Sequence, residues 1–204
     1  MAAKFLLVTI LLFASAELLN FQRQKLQPVC RKALKIRKFV NTQEAIWTHS
    51  TTARFYIRCK VDVRTSITKK LISFRRKYYT DEGRHWLAKK LDGLFSEKQK
   101  DVMQICPPGE RVTEKEAVLY IGAKYDCALI KVTPAAHDHK SHFDLRVWNS
   151  SIIHGVDPSC LRMFAGFKEH GRVIYGPRCQ DILTVHSNGL TVFSSNYREG
   201  TRHG

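Results

Sequence analysis

His137, Asp138, His139 and His142 lie close enough in sequence for their imidazole and carboxylate donors to meet one zinc ion if a turn gathered them. A solvated hairpin loop explains the same residues, and neither a cysteine nor a second histidine group lies near, so no metal is expected. Enzymatic signatures are missing from the chain: there is no G-x-S-x-G elbow, no H-E-x-x-H helix and no phosphate-cradling glycine loop. Glu114 and Glu116 form a carboxylate pair two residues apart at the start of a strand-like run, where surface exposure is the ordinary expectation. The sequence therefore predicts neither an enzyme nor a cofactor. Asn149-Ser150-Ser151 is a glycosylation sequon. The six cysteines Cys30, Cys59, Cys106, Cys127, Cys160 and Cys179 contain no C-x-x-C pair, which disfavours a zinc ribbon or a redox site. An even number of them suits a disulfide framework, for which sequence alone leaves about fifteen pairings open.

That framework needs an oxidising compartment, and the N-terminus supplies an address. Lys4 precedes an apolar run from Phe5 to Phe13, and Ala14-Ser15-Ala16 offers a small-residue cleavage site, so residues 1–16 are predicted to be a signal peptide. The run is too short to span a bilayer, and no later segment approaches about 20 apolar residues. A secreted, extracellular protein of one ordinary domain follows. Its net charge of +16 attracts polyanions, which outside the cell means sulfated glycans, anionic lipids and acidic protein surfaces. Nucleic acid is not an expected partner, and the basic residues are dispersed rather than gathered in one block.

The elements that must position any site read as strands. From Arg54 to Arg64 the period is two: Phe55, Ile57, Cys59, Val61 and Val63 alternate with Tyr56, Arg58, Lys60 and Asp62. The first set is expected on a core and the second in water. Ile72, Phe74 and Tyr78 continue the period, with Arg76 on their face. The stretch holding Trp86, Leu87, Leu91, Leu94 and Phe95 is ambiguous between strand and helix. Cys106-Pro107-Pro108-Gly109 marks a turn. Ala117 to Ile121, Cys127 to Val132 and the alternation of Phe143, Leu145 and Val147 predict further strands, and so many short strands indicate an antiparallel barrel or sandwich. Asp157 and Pro158 start a helix that Gly171 can end, and Arg172 to Tyr175 suits a strand. Glu17 to Val40 suggests a short helix with irregular flanks.

The cysteine neighbourhoods, in their order, resemble the tick salivary lipocalins, which include the histamine-binding proteins. The resemblance rests on Ala45-Ile46-Trp47, R-F-Y-I-R-C-K-V to Val61, Y-D-C-A-L-I-K-V from Tyr125, F-D-L-R-V-W from Phe143, P-S-C to Cys160 and V-I-Y-G-P-R-C to Cys179. It implies an all-β fold: an eight-stranded antiparallel up-and-down barrel with an N-terminal helical segment, a helix packed outside and a ligand cavity inside. The domain plan becomes a signal peptide at 1–16, an N-terminal segment at 17–40, the barrel at 41–179 and a tail at 180–204. The resemblance further implies Cys59–Cys179 and Cys127–Cys160 bridges, leaving Cys30 and Cys106 for each other.

It also implies a small host mediator as partner, sequestered to suppress host inflammatory and haemostatic defence. For a biogenic amine such as histamine, Asp144 keeps the carboxylate of the resembling segment, while Arg146 stands where the family has tryptophan. If both face inward, they can neutralise each other and deprive an amine of its counter-charge. For an anionic lipid mediator of leukotriene or fatty-acid type, Arg76 beside Phe74 and Tyr78 is the head-group partner. Trp47 completes the expected ligand-contacting set. A third possibility is a host complement or clotting protein, gripped by the outer surface. A wide apolar interior would favour the ligand cage, and a filled barrel the surface binder.

Overall fold

Eight of the alternating stretches pair antiparallel as β1 (Ile46–Thr51), β2 (Arg58–Ile67), β3 (Leu71–Thr80), β4 (His85–Phe95), β5 (Val102–Cys106), β6 (Glu114–Ile121), β7 (Cys127–Pro134) and β8 (His142–Trp148). This computed structural model describes residues 34–80, 85–136, 140–167 and 171–184. Neighbours in sequence are neighbours in the sheet, and β1 closes the barrel by pairing with both β8 and β2. Among the described strands closure leaves no long edge to recruit another chain. A two-residue strand, β9 (Arg172–Val173), adds to the end of β1.

The up-and-down order puts the β2–β3 and β4–β5 connections and the end of β8 at one mouth, which the short helix α1 (Ile36–Val40) covers. Its Ile36 N–H donates to the Lys100 carbonyl at 3.0 Å, Arg37 Nε donates to the Thr68 carbonyl at 3.2 Å, and Trp148 Nε1 donates to the Phe39 carbonyl at 3.1 Å. Ile36, Phe39 and Val40 are buried there.

A second layer lies outside the barrel. Trp47, Val61, Leu129, Leu145 and Val147 face outward and are buried beneath Ile152 of α2 (Asn149–His154), Phe164 of α3 (Pro158–Ala165) and Ile182 of α4 (Asp181–Thr184). Asp157 caps α3, its Oδ1 accepting from the Ser159 N–H at 2.7 Å, and Pro158 occupies the first turn, where its missing N–H costs nothing. Two disulfides, Cys59–Cys179 and Cys127–Cys160, tie this layer to the barrel wall. Both are the bridges that the resemblance implies. Cys106 carries a buried free thiol, and Cys30, its expected partner, lies outside the described residues. Removing the longer bridge with Cys59→Ala/Cys179→Ala frees a loop of sequence separation 120. The expected loss is about 2–4 kcal/mol, seen as a lower urea midpoint under non-reducing conditions.

Several expectations need correcting. The second strand starts at Arg58, not Arg54, so Phe55 and Tyr56 are exposed loop residues, whereas Lys60 is buried rather than wet. A bulge lies between Arg58 and Val61, where Cys59 adopts φ 53°, and Lys60 is buried because outer helices cover one face of the strand and the barrel interior takes the other. Helix α3 ends at Gly166, before the anticipated Gly171, and α2 was not anticipated. The ambiguous Trp86–Phe95 stretch is strand. The Pro-Pro-Gly turn forms as expected, with Gly109 at φ 76°, where a glycine avoids a Cβ clash. Of the N-terminal segment, 17–33 lie outside the described residues. No helix among the described residues is long and apolar enough to cross a membrane.

Candidate functional site

Because side chains alternate along a strand, the residues between the outward apolar ones must enter the barrel. Three strands send charged pairs inward: Lys60 and Asp62 from β2, Glu114 and Glu116 from β6, and Asp144 and Arg146 from β8. Arg76 joins them from β3, directly opposite Asp62 in register. Lys60, Arg76, Glu116, Asp144 and Arg146 are all buried.

The network has two tiers. In the deeper one Arg146 grips Glu116 with two bonds, Nη1 to Oε2 at 2.7 Å and Nη2 to Oε1 at 2.6 Å. Arg76 donates to both oxygens of Asp62 at 2.8 and 2.9 Å, to Glu116 Oε1 at 2.8 Å, and to Glu114. Nearer the mouth opposite α1, Asp144 accepts from Lys60 Nζ at 2.8 Å and from Thr51 Oγ1 at 2.7 Å. Arg146 Nη2 stands 3.5 Å from the same Asp144 oxygen that Lys60 holds. His142 lies 3.8 Å from Asp144, with the exposed ring of Phe55 edge-on at 5.8 Å.

Three cations, Lys60, Arg76 and Arg146, thus face four carboxylates, Asp62, Glu114, Glu116 and Asp144. Burial alone would raise the Glu116 carboxyl, but Arg146 and Arg76 outweigh it and hold the group well below the usual carboxylate range. Asp144 is depressed likewise, with Lys60 and Arg146 overcoming the burial penalty. The carboxylates on Arg76 raise its pKa against burial, as Glu116 does for Arg146. Burial lowers His142, and the neighbouring Asp144 offsets this only in part.

Because His142 is depressed when folded, it favours the native state above the unfolded value of about 6.5, and that contribution is lost as pH falls. The urea midpoint is expected to drop on acidification from pH 7 to 5, and less steeply in His142→Gln. His49, also lowered by burial, keeps part of the slope in the variant. An unchanged slope in His142→Gln would remove His142 from the account.

Of the ligand-contacting residues read from the sequence, the fold brings Asp144, Arg146 and Arg76 into one network. Phe74 and Tyr78 share the Arg76 face, with the Arg76 guanidinium 5.3 Å from the Phe74 ring and Lys89 Nζ 5.9 Å from the Tyr78 ring. Trp47 is elsewhere. It points into the outer layer, edge-on to Tyr175 at 5.2 Å, and its Nε1 donates to Asn149 Oδ1 at 2.8 Å. Asn149 Oδ1 also accepts from Gln180 at 3.0 Å. The expectation that Glu116 is surface-exposed is wrong, since it is 0% exposed, and Glu114 is largely enclosed. Lys60, Asp62 and Thr51 were missed, although the two-residue spacing of Lys60 with Asp62 repeats that of the other pairs. Of the histidine cluster, His142 is a buried barrel residue and residues 137–139 lie outside the described residues. Among the described residues no group of three or more potential ligands is placed to hold a metal.

The lower barrel, between Phe39, Ile46, Ile72, Phe74, Met103 and Arg146, keeps a cavity of about 20 Å³, the size of one water molecule.

A closed eight-stranded antiparallel barrel with a few outer helices is the lipocalin fold, and solved structures of similar shape support that class. One is AM182 in its serotonin complex, with TM-score 0.54 and 16% identity, covering 75% of this chain and 97% of that one. Lobster apocrustacyanin A1 gives 0.51 and 12% over 73% and 85% of the two chains. Per a 4, a major allergen from cockroaches, gives 0.51 and 12% over 72% and 92%. At such identities the likeness is one of fold alone. No protein-family model and no curated protein matches the chain.

Proposed function

We propose that this chain is a secreted, non-catalytic lipocalin of tick saliva that sequesters a small cationic mediator, a biogenic amine such as histamine or serotonin, to suppress host inflammatory and haemostatic defence. One observation carries the proposal: among the described residues four inward carboxylates, Asp62, Glu114, Glu116 and Asp144, are gathered in one ion-pair network inside the barrel. Glu114, 22% exposed and toward the mouth opposite α1, is the carboxylate an incoming ammonium meets first. A cation that reaches these carboxylates gains a charge-assisted bond, and the exposed ring of Phe55 adds a π face. Asp144, Arg146, Arg76 and Phe74 then form the chamber around it, and Trp47 acts from the outer layer by holding the wall. The serotonin bound by AM182 agrees with an amine in this fold.

A fatty-acid or leukotriene tail suits the chamber less well, because the deep lining it needs is occupied by ion pairs. A signal peptide at 1–16, the barrel at 41–179, the flanking segments 17–40 and 180–204 and a glycan on Asn149 complete the plan, and the two disulfides agree with an extracellular setting.

The ion-paired interior favours a second reading, capture of a host protein or sulfated glycan by the outer face. There a cleft of about 390 Å³ is lined by Arg75 and Lys90, which sit directly opposite each other in register. Native mass spectrometry of the purified protein with histamine, serotonin and a leukotriene separates the readings. One bound amine is the expected result. A leukotriene adduct instead would overturn the amine proposal, and no adduct at all would favour the outer face.

A further inference from the structure

We propose that Lys60 is a built-in occupant of the amine subsite at Asp144, so that an amine reaches that carboxylate only by exchanging with the Lys60 ammonium. This rests on the amine reading above and adds what governs access to the same chamber.

The local geometry is that of a bound alkylammonium. Lys60 Nζ sits 2.8 Å from Asp144 Oδ2, while Thr51 Oγ1 holds the other carboxylate oxygen at 2.7 Å. The ammonium is nearly enclosed, its side chain 9% exposed. Its placement is built in from the backbone. The bulge at Arg58/Val61 and the positive φ of Cys59 shape the strand just before Lys60, and the Cys59–Cys179 bridge fixes that strand to the outer layer.

The two cations near Asp144 differ in how readily they can leave. Arg146 is held by two bonds to Glu116 deep in the barrel. Lys60 makes one ion pair, stands in the tier next to the mouth, and has a flexible four-carbon stem that can carry its charge into water. An exchange of one ammonium for another leaves the charge of the interior unchanged, so no carboxylate is stranded. Adding a second ammonium at Asp144 with Lys60 in place would instead set two cations on one carboxylate already close to Arg146.

A tethered group competes at an effective concentration in the millimolar range, and a site free in only a small fraction of molecules loses affinity by that fraction. Lys60 should therefore select against weak, compact amines and admit a ligand that gains further contacts in the chamber. Removing it should tighten amine binding about 10- to 100-fold.

Titration calorimetry with n-propylammonium, histamine and serotonin on wild type, Lys60→Ala and Lys60→Met tests this. Lys60→Ala is expected to bind n-propylammonium, which restores the deleted chain end, and to bind histamine at least tenfold more tightly than wild type. Lys60→Met, which fills the space without charge, should gain much less. In wild type, the shielded Lys60 ammonium should give a slowly exchanging ¹H–¹⁵N cross-peak that Lys60→Arg deletes and saturating histamine abolishes. This readout decides the matter if Lys60→Ala does not fold. Equal histamine affinity in wild type and Lys60→Ala, or a Lys60 cross-peak that persists at histamine saturation, would overturn the role of Lys60 while leaving the amine reading intact. Uptake of n-propylammonium by Lys60→Ala without histamine or serotonin binding by either protein would support Lys60 as occupant and defeat the amine-mediator reading.

Discussion

Glu116→Ala is expected to destabilise the protein by about 3–5 kcal/mol, among the largest effects of any single substitution in the barrel. The side chain is 0% exposed and accepts three bonds from two guanidiniums. Without it Arg146 keeps only contacts at 3.5 Å, with Asp62 and Asp144, and two buried cations face each other with one counter-charge fewer. Arg146→Met should cost a similar amount for the converse reason, since Glu116 then depends on Arg76 alone. The double variant Glu116→Leu/Arg146→Met is the informative one. It removes both charges and fills their space with apolar atoms, leaving Lys60 on Asp144 and Arg76 on Asp62 and Glu114. Replacing a buried pair in this way is often neutral, so the double variant should be more stable than either single one. Urea midpoints at pH 7 for wild type, Glu116→Leu, Arg146→Met and the double variant give the coupling directly. Additive losses would mean that Glu116 and Arg146 act independently, against the geometry.

This pair also shows how far the sequence could be read. The two-residue period of Phe143, Leu145 and Val147 against Asp144 and Arg146 placed β8 and its two faces correctly. In a barrel with helices packed outside, however, both faces of a strand are buried, and alternation then reports two environments without saying which is the interior. Val61 and Lys60 illustrate the consequence. The apolar residue was expected on the core and does lie on one, but that core is the layer beneath α2 and α3, while the lysine assigned to water lies inside the barrel.

Partners across the barrel were less legible than faces. Mutual neutralisation of Asp144 and Arg146 was anticipated if both turned inward. They do turn inward, yet each has a closer partner on another strand: Lys60 from β2 for the aspartate and Glu116 from β6 for the arginine. Those pairings depend on barrel closure between β1 and β2 and on the bulge before Val61, neither of which local periodicity encodes. The short carboxylate spacing of Glu114 and Glu116 did carry a signal. Glu116 lies one turn of the pleat from Val118, a buried residue on the same face, so the pair belonged to an enclosed face from the start.

The same arithmetic of charge makes Arg76 the residue whose loss should change the sign of the acid response. In wild type Glu116 and Asp144 are depressed when folded, so they stabilise the native state above the unfolded carboxylate range of about pH 4 and lose that contribution as pH falls below it. Arg76→Met leaves four carboxylates with two cations, Lys60 and Arg146. Glu114 loses its ion-pair partner and Asp62 keeps only Arg146 at 3.5 Å, so the enclosed network is left with excess negative charge that proton uptake relieves. A native state that takes up protons more readily than the unfolded chain reverses the linkage, so stability is regained as pH falls and lost as pH rises. Arg76→Met is therefore expected to be about 3–5 kcal/mol less stable than wild type at pH 7 and to recover part of that difference between pH 7 and 5, where wild type gains nothing. Arg76→Lys should show a smaller loss, because one ammonium cannot serve three carboxylates in the fork geometry of a guanidinium. Urea unfolding of the three proteins at pH 7, 6 and 5 reads the slope. If Arg76→Met weakens on acidification in parallel with wild type, then water compensates the charge that Arg76 leaves behind, and the chamber is wetter and less charge-limited than the ion-pair geometry implies.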